Sequence, residues 1–393
     1  MTKAHSTNPP TAKPPKPRSD FPLFAHASGR WCKKIAGRHR YFGPWSDPQG
    51  AEERYEAEKD DLRAGRSTRG NRESLTLSVL CARFMERKKD LLDAGELSAN
   101  TFREYTITCN RVLDEWCGKK SEKTKKRPRN PPVSTLSPDH FANLRAKWAK
   151  LWGPIRLGNE INRVRSIFKF AAANVLIERP VMFGDGFARP SAKTLLLDRA
   201  AKGPRMFQAA EVRRLLAAAG QPLKAMIMLG ANCGYGNEDL GRLPMTALDL
   251  DNGWSVFPRP KTGVKRRAKL WPETVAALRE WLDVRPTPAS DEFAGLVFLT
   301  VRGSSWAKTY SSDNPLAKEF AKLAKEVKLA GRGFYGLRHG FQQIADEGGD
   351  FPCVTSVMGH KDTSMPARYR GQFPSDKRLE AVANHVRNWL FDK

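Results

Sequence analysis

Phe334-Tyr-Gly-Leu-Arg-His-Gly-Phe-Gln-Gln-Ile344 is the stretch that decides how the rest of this chain is interpreted. Its apolar residues recur at i, i+4 and i+7, the spacing of one buried helix face: Leu337, Phe341 and Ile344. Tyr335 and Arg338 are three residues apart and share a different face of the same helix. The stretch therefore predicts a helix that packs one side against a core and presents a tyrosine and an arginine elsewhere.

Three further segments near the end of the chain carry polar groups that could act together with this helix. Residues 357–360, Val-Met-Gly-His, are an apolar approach that ends in a glycine and a histidine. Residues 364–370 predict a short helix, and its Tyr369 comes nine residues after that histidine. Residues 258–263, Pro-Arg-Pro-Lys-Thr-Gly, place Lys261 at the turn of a predicted hairpin.

In this order and at this spacing, the four segments resemble the tyrosine recombinase family, which includes the phage integrases. The family's Arg-His dipeptide on a helix is similar to Arg338-His339, and its leucine-glycine-histidine motif to residues 358–360. The family's nucleophilic tyrosine corresponds to Tyr369 and its hairpin lysine to Lys261. Tyr335 stands where the family usually has a histidine, and a tyrosine can still donate a hydrogen bond to a phosphate.

The resemblance implies a tyrosine-type DNA strand transferase, and the chemistry accounts for the residue types. Tyr369 would attack a phosphodiester and form a 3′-phosphotyrosyl link, which conserves the bond as an ester. Arg338, supported by His360, would neutralise charge on the non-bridging oxygens in the transition state. Lys261 would protonate the departing 5′-hydroxyl, and Tyr335 would contact the phosphate. No cofactor and no metal are implied.

One departure from the family pattern bears directly on activity. The family's first arginine normally follows Thr-Gly-x at a helix turn, and the corresponding stretch here is Cys233-Gly-Tyr-Gly236, with Gly236 in that place. Losing one charged donor to a transition state typically costs about 3–4 kcal/mol. Arg242 would lie on the far side of the predicted helix, so we expect an arginine of the hairpin to replace the missing one: Arg259, Arg266 or Arg267.

The whole chain is strongly basic. Its 393 residues include 68 Lys+Arg and 42 Asp+Glu, a formal charge of +26, which predicts a polyanionic partner. The resemblance implies double-stranded DNA as that partner and a homo-oligomer, a tetramer, on the DNA. No stretch approaches the ~20 apolar residues that cross a bilayer, and no secretory signal is present. The six cysteines form no CxxC pair, so we expect a reduced, cytoplasmic and nucleoid-associated protein without a membrane partner.

Composition and periodicity divide the chain into four parts and predict a mixed, mainly α fold. Residues 1–20 hold five prolines and four Lys/Arg, which is typical of a disordered basic arm. Residues 21–66 predict a small sheet plus helix, similar to the arm-type DNA-binding module of some integrases. Residues 74–180 have helical periodicity and resemble the family's core-binding DNA domain. Residues 205–393 resemble its α+β catalytic domain.

Basic residues outside the predicted active site are candidates for contacts with the DNA backbone. They lie in the small sheet, in a basic loop and in the hairpin: Arg30, Lys33, Lys34, Arg40, Lys125, Lys126, Arg127, Arg259, Arg266 and Arg267. The aromatic residues of the small sheet could also form a mini-core. The loop of residues 118–132 could equally be a solvated surface loop, so the sequence leaves both alternatives open.

Three finer expectations concern connecting segments and the last helix. Residues 180–204 are rich in Gly, Pro and Arg and predict an irregular linker, and residues 296–300 predict a short strand. The last helix has a clean apolar stripe: Leu379, Val382, Val386, Trp389 and Leu390. That stripe either packs in the chain's own core or docks on a neighbouring protomer.

The leading interpretation is a site-specific DNA recombinase or integrase of a mobile element. The alternative is a non-catalytic or weakly catalytic DNA-binding descendant of the same family, for which Gly236 is the best sign. Against this alternative stand four residues kept at the family spacing: Lys261, Arg338, His360 and Tyr369. A general basic RNA-binding or structural protein is the least favoured interpretation.

Overall fold

A computed structural model of the protein describes residues 13–35, 37–63, 75–311, 313–365 and 373–392. The chain divides into two compact units. The first comprises Met1–Lys88, Ile107–Trp152 and Arg156–Arg189, and the second comprises Lys89–Thr106, Gly153–Ile155 and Pro190–Lys393. The predicted nucleophile, Tyr369, and residues 1–12 of the predicted arm lie outside the described residues.

The N-terminal part of the chain is a small antiparallel sheet followed by helices. Its elements are β1 (Phe24–His26), β2 (Arg30–Ile35), β3 (Arg38–Pro44), α1 (Pro48–Arg63), α2 (Leu77–Asp93), α3 (Ala99–Cys117), α4 (Pro138–Ala149) and α5 (Pro154–Ala173). The strand order is β1-β2-β3. Helix α1 covers one face of this sheet, and the mini-core that the sequence left open is formed by Phe21, Leu23, Trp31, Phe42, Ala51, Tyr55 and Leu62.

Residues 107–189 pack helices around a second core. The apolar faces predicted from helical spacing are largely buried, among them Val112, Trp116, Ile161 and Phe168. Glu160 of α5 is also buried, and its carboxylate accepts hydrogen bonds from the Thr108 hydroxyl and the Arg111 and Arg163 guanidinium groups. A buried carboxylate requires such partners, so this cluster ties α3 to α5.

The remainder of the chain forms a larger helical core with one short antiparallel sheet in the order β4-β5-β6. Its elements are α6 (Ala192–Ala201), α7 (Ala209–Ala218), α8 (Leu223–Cys233), α9 (Asn237–Gly241), β4 (Leu248–Asp249), β5 (Trp254–Val256), β6 (Arg267–Lys269), α10 (Pro272–Asp283), α11 (Asp291–Ala294), α12 (Pro315–Glu326), α13 (Tyr335–Glu347), α14 (Phe351–Val357) and α15 (Asp376–Phe391). The pairing of β5 with β6 confirms the predicted hairpin. The mixed, mainly α fold predicted from the sequence is therefore confirmed.

The predicted irregular linker of residues 180–204 contains helix α6, so that prediction was wrong in part. The Ser191 side chain accepts a hydrogen bond from the backbone N–H of Thr194 and caps the helix. The residues that follow are mostly alanine and leucine, which favour helix. The cap and these residues outweigh the prolines and glycines on either side.

The predicted strand over residues 296–300 is absent. Leu296 and Leu299 make only isolated bridges, to Pro244 and Ser305 respectively. The backbone N–H of Gly303 donates to the carbonyl of Thr300, so the chain reverses before a ladder can extend. The apolar run that suggested a strand is a buried extended segment instead.

Helix α8 lies at the centre of this core, and every residue from Ala225 to Cys233 is buried. Helix α13 packs on it where Gly230 has no side chain, since a Cβ there would lie 3.1 Å from both Leu337 Cδ1 and Phe334 Cζ. Leu337, Phe341 and Ile344 are buried, which confirms the helix face predicted from their spacing. This close packing of α13 on α8 places Arg338 next to the C-terminal end of α8.

The apolar stripe of α15 packs in the chain's own core. Leu379, Val382, Val386 and Leu390 are buried, and the helix lies against α7, α8, α13 and β6. The indole N–H of Trp271 donates to the Ala383 carbonyl at 2.8 Å. Of the two alternatives for this stripe, the structure shows the intramolecular one. Among the described residues, no helix is long and apolar enough to span a membrane.

Candidate active site

Arg338 is buried between the ends of two helices. Its side chain is only 1% exposed. One terminal nitrogen donates to the Gly234 carbonyl at 2.5 Å, just past the end of α8, and the other donates to the Met358 carbonyl at 2.6 Å, just past the end of α14. Helix C-termini present unpaired carbonyls and partial negative charge, which suits a guanidinium. The arginine is thereby held in one orientation.

Gly234 directs its carbonyl at Arg338 because of its backbone conformation. It ends α8 in the left-handed region, with a φ of 62°. A Cβ at this position would lie 2.7 Å from Met358 Sδ and 3.0 Å from Phe341 Cδ1. Both the positive φ and the lack of space require glycine, so this residue of the Cys-Gly-Tyr-Gly stretch has a defined role in positioning Arg338.

His360 joins Arg338 through its ring. The Nε2 atom lies 3.3 Å from the second terminal nitrogen of Arg338. Burial, and then the positive charges of Arg338 and Arg259, lower the pKa of His360 below its usual value. The imidazole is therefore neutral at neutral pH, and an Nε2 that accepts from the guanidinium leaves the ring proton on Nδ1.

The hairpin that carries Lys261 is tied to the turn that carries His360. The Thr262 hydroxyl donates to the Gly359 carbonyl at 3.0 Å, and a terminal nitrogen of Arg259 lies 3.5 Å from the same oxygen. Gly359 has a φ of 63°, and a Cβ there would lie 2.9 Å from Arg259 Cβ. Lys261 itself is exposed and close enough for its charge to lower the pKa of His360. Two of the predicted site residues, Arg338 and His360, are thus in contact, with Lys261 beside them.

Position 236, where the family has an arginine, is covered by Tyr335. A Cβ on Gly236 would lie 3.3 Å from Tyr335 Cε2. Tyr335 is 45% exposed, and its ring is also near Arg338, whose guanidinium carbon lies 6.0 Å from the ring centroid. The structure therefore places the Tyr335 ring next to both Arg338 and Gly236.

Arg266 is buried close to the site, and a carboxylate neutralises its charge. It is fully buried, and it donates to the carboxylate of Asp239 at 2.9 Å and to the Phe257 carbonyl at 3.0 Å. Its guanidinium lies over the ring of Tyr235 at 4.5 Å. Asp239 also accepts from the backbone N–H of Gly236 and caps α9. Burial raises the pKa of Tyr235, whose hydroxyl is hydrogen-bonded to Ser255, so this tyrosine is unsuited to act as a nucleophile.

The other predicted DNA-contact residues fall into two groups. Five are exposed: Arg30, Lys34, Arg40, Lys125 and Lys126. Three others have partners within the chain. Lys33 donates to the Pro22 carbonyl at 2.7 Å, Arg127 donates to Asp114 and to the Gly118 carbonyl, and Arg267 pairs with Asp376 and stacks on Trp254 at 3.9 Å.

Sequence reasoning missed the groups that hold the site together. The acceptors for Arg338 are backbone carbonyls, which carry no signal in residue type. Asp239 had a signal, because a carboxylate three residues after a helix start is a capping pattern. Its second partner, Arg266, lies just before β6 and 27 residues further along the chain, so that pairing was not visible in the sequence.

Comparison with known proteins agrees with this geometry. The family model for the phage integrase family matches residues 205–375. The tyrosine recombinase XerC of Salmonella typhi is 28% identical over 224 residues, which span 55% of this chain and 69% of XerC. The matched part of the chain, which contains Lys261, Arg338 and His360, is therefore similar to the phage integrase family and to a tyrosine recombinase.

Solved structures of similar fold cover more of the chain. A lambda integrase tetramer bound to a Holliday junction has a TM-score of 0.50 at 15% identity, with 91% of this chain and 98% of that chain covered. A Tn1549 transposon integrase in complex with transposon right end DNA has a TM-score of 0.54 at 16% identity, with 80% and 100% covered. At such identities, the likeness shows that this chain has the integrase fold.

Proposed function

We propose that this protein is a site-specific DNA recombinase that cleaves and rejoins double-stranded DNA through a 3′-phosphotyrosyl intermediate on Tyr369. The observation that carries the proposal is the cation cluster around Arg338. Within the described part of the chain, the guanidinium of Arg338 is hydrogen-bonded to two carbonyls and to a histidine, and to no carboxylate.

A buried cation without an acidic partner is unfavourable unless an anion completes the site. Arg338 has five N–H donors, and its bonds to Gly234, Met358 and His360 leave N–H groups for a ligand. The ring of His360 contacts Arg338, and the exposed Lys261 adds a positive charge nearby. A phosphodiester, with two non-bridging oxygens and one negative charge, is an anion that such a set of donors recognises.

The proposed reaction assigns one task to each residue. The phenol oxygen of Tyr369 forms a bond to phosphorus, and the bond from phosphorus to the 5′-oxygen breaks. The phenol proton leaves to solvent, and Lys261 gives a proton to the departing 5′-oxygen. Arg338 and His360 hold the non-bridging oxygens while their negative charge increases. The reverse reaction, with a 5′-hydroxyl as nucleophile, reseals the strand.

The assembly on DNA is part of the same proposal. The lambda integrase relative is a tetramer on a Holliday junction, and we propose that this chain also acts as a homotetramer on duplex DNA. The exposed basic residues of the small sheet and of the 118–132 loop would lie along phosphates: Arg30, Lys34, Arg40, Lys125 and Lys126.

One observation favours a second candidate function, a DNA-binding protein with little or no catalysis. Gly236 supplies no charge where the family has an arginine, and the Tyr335 ring covers it. In that case the cation cluster would bind DNA backbone without cleaving it. The two candidates differ in whether a covalent bond to DNA ever forms.

A nicked suicide substrate separates them. The duplex is the sequence that the protein selects from a random library, with a nick placed so that the cleaved strand end diffuses away. We expect a covalent protein–DNA adduct with the unchanged chain and none with Tyr369→Phe, with equal DNA binding in both. Tight binding without any adduct from the unchanged chain would establish the second candidate instead.

A further inference from the structure

We infer that Arg259 is the hairpin arginine that binds the scissile phosphate together with Arg338 and replaces the charge that is absent at position 236. The inference rests on the proposed function and adds a residue to its site. It is carried by the placement of the four arginines that lie near this end of α8, and by which of them already have a carboxylate.

Three of these arginines are neutralised by carboxylates. Arg242 pairs with Glu238 at its own helix, and Arg267 pairs with Asp376. Arg266 pairs with Asp239 and is fully enclosed. An arginine that already has an acid contributes little net attraction to a second anion, and moving Arg266 would leave Asp239 buried without its partner.

Arg259 is different from the other three. The single described hydrogen bond of its side chain is to the Gly359 carbonyl, at 3.5 Å, which is at the outer limit for a hydrogen bond and therefore weak. It has no carboxylate partner among the residues that the structure describes. The side chain is only partly buried, so its guanidinium can turn from that carbonyl to a phosphate without breaking a strong contact.

Arg259 also lies close enough to Arg338 and His360 to affect their pKa values. After burial, its positive charge is the next largest cause of the lowered pKa of Arg338. The same charge lowers the pKa of His360, after burial and Arg338. Like charges brought this close repel each other, and a bound anion between them removes the repulsion. Arg259 contacts Gly359 and Arg338 contacts His360, so the two guanidinium groups lie near the same turn and one bound anion can meet both.

The backbone explains how a hairpin residue comes to this position. Gly359 lacks a side chain, and a Cβ there would lie 2.9 Å from Arg259 Cβ, so glycine lets the hairpin approach the His360 turn closely. The Thr262 hydroxyl then fastens the hairpin to the Gly359 carbonyl. Position 236 is covered by the Tyr335 ring, whereas Arg259 lies directly against Gly359, next to His360.

The test compares adduct formation by Arg259→Ala, Arg259→Lys and Arg242→Ala at saturating protein on the suicide substrate. Arg242 is the matched control, since it is an arginine close to position 236 in the chain but pairs with Glu238. We expect Arg259→Ala to slow adduct formation about a hundredfold or more. Arg259→Lys should recover part of the rate because it keeps the charge, and Arg242→Ala should stay within a few-fold of the unchanged chain.

A second substrate separates charge stabilisation from a structural effect. A methylphosphonate at the scissile position replaces one non-bridging oxygen by a methyl group and removes the negative charge that Arg259 would bind. The ratio of the unchanged chain to Arg259→Ala should then fall towards one. A ratio that stays equally large on both substrates, or a normal rate for Arg259→Ala on the phosphodiester, would overturn the inference and leave the proposed function standing. No adduct from the unchanged chain would overturn both.

Discussion

The ring of Tyr335 lies on Gly236, so the two residues that differ from the expected recombinase motifs are in contact. A Cβ on Gly236 would be 3.3 Å from Tyr335 Cε2 and 3.5 Å from Cδ2. The Tyr335 ring therefore fills the space that a side chain at position 236 would need. The glycine at position 236 and the tyrosine at position 335 therefore depend on each other for space.

The first prediction concerns this shared space. Gly236→Arg alone must push the Tyr335 ring aside, and we expect the free energy of unfolding to fall by about 1–2 kcal/mol. Tyr335 is partly exposed and can yield, which keeps the cost moderate. Adding Tyr335→His should restore most of the stability in urea unfolding. An equal loss in the double variant, with Tyr335→His alone as control, would show that the ring is not the obstacle.

The second prediction concerns the carbonyl that holds Arg338. Gly234→Ala introduces a side chain at positive φ and against Met358, and should lower the free energy of unfolding by about 2 kcal/mol or more. Gly203→Ala is the matched control, since Gly203 has a similar φ of 69° with nothing within 4 Å. It should cost about 1 kcal/mol. Equal losses would mean that the contact with Met358 does not restrict this position.

How far the sequence predicts the site differs from residue to residue. Arg338 and His360 could be placed together because their motifs resemble those of a known family, whereas helix periodicity alone predicts only the face on which Arg338 lies. The carbonyls of Gly234 and Met358 could not, since every residue has a carbonyl. The three hairpin arginines look alike in sequence, and only their distant acids distinguish them. Those acids are Asp239 for Arg266 and Asp376 for Arg267.

The helix α6 shows the same limit at the level of the fold. Its sequence favours helix internally, but prolines and glycines on both sides dominated the prediction of a linker. The α15 stripe is the converse case. An apolar face was evident from the sequence, whereas the surface that covers it depends on how the chain returns to α8 and α13.

The third prediction concerns pH. Burial and then nearby arginines lower the pKa values of His339 and His360 below the usual 6.5. The unfolded chain therefore binds these protons at higher pH than the folded chain does, and stability falls as the pH drops through about 6.5. The fall in the free energy of unfolding between about pH 7.5 and pH 5.5 should be smaller in His339→Asn/His360→Asn. The same fall in both proteins would contradict the lowered pKa values.

The fourth prediction separates DNA binding by many basic residues from catalysis by the few basic residues around Arg338. Affinity for duplex DNA should fall steeply as salt rises, because many lysines and arginines displace counterions from phosphates. Lys125→Gln/Lys126→Gln should reduce the slope of log affinity against log salt by about 2. The rate of adduct formation at saturating protein should change far less with salt. A cleavage rate that falls in parallel with affinity would contradict this division.

The central claim is tested most directly by identifying the residue that becomes attached to DNA. The adduct from the suicide substrate is digested with nuclease and protease, and the modified peptide is sequenced by mass spectrometry. The proposed function predicts a nucleotide 3′-phosphate on Tyr369. An adduct on Tyr335, the exposed tyrosine beside Arg338, or no adduct at all under conditions of tight binding, would contradict it.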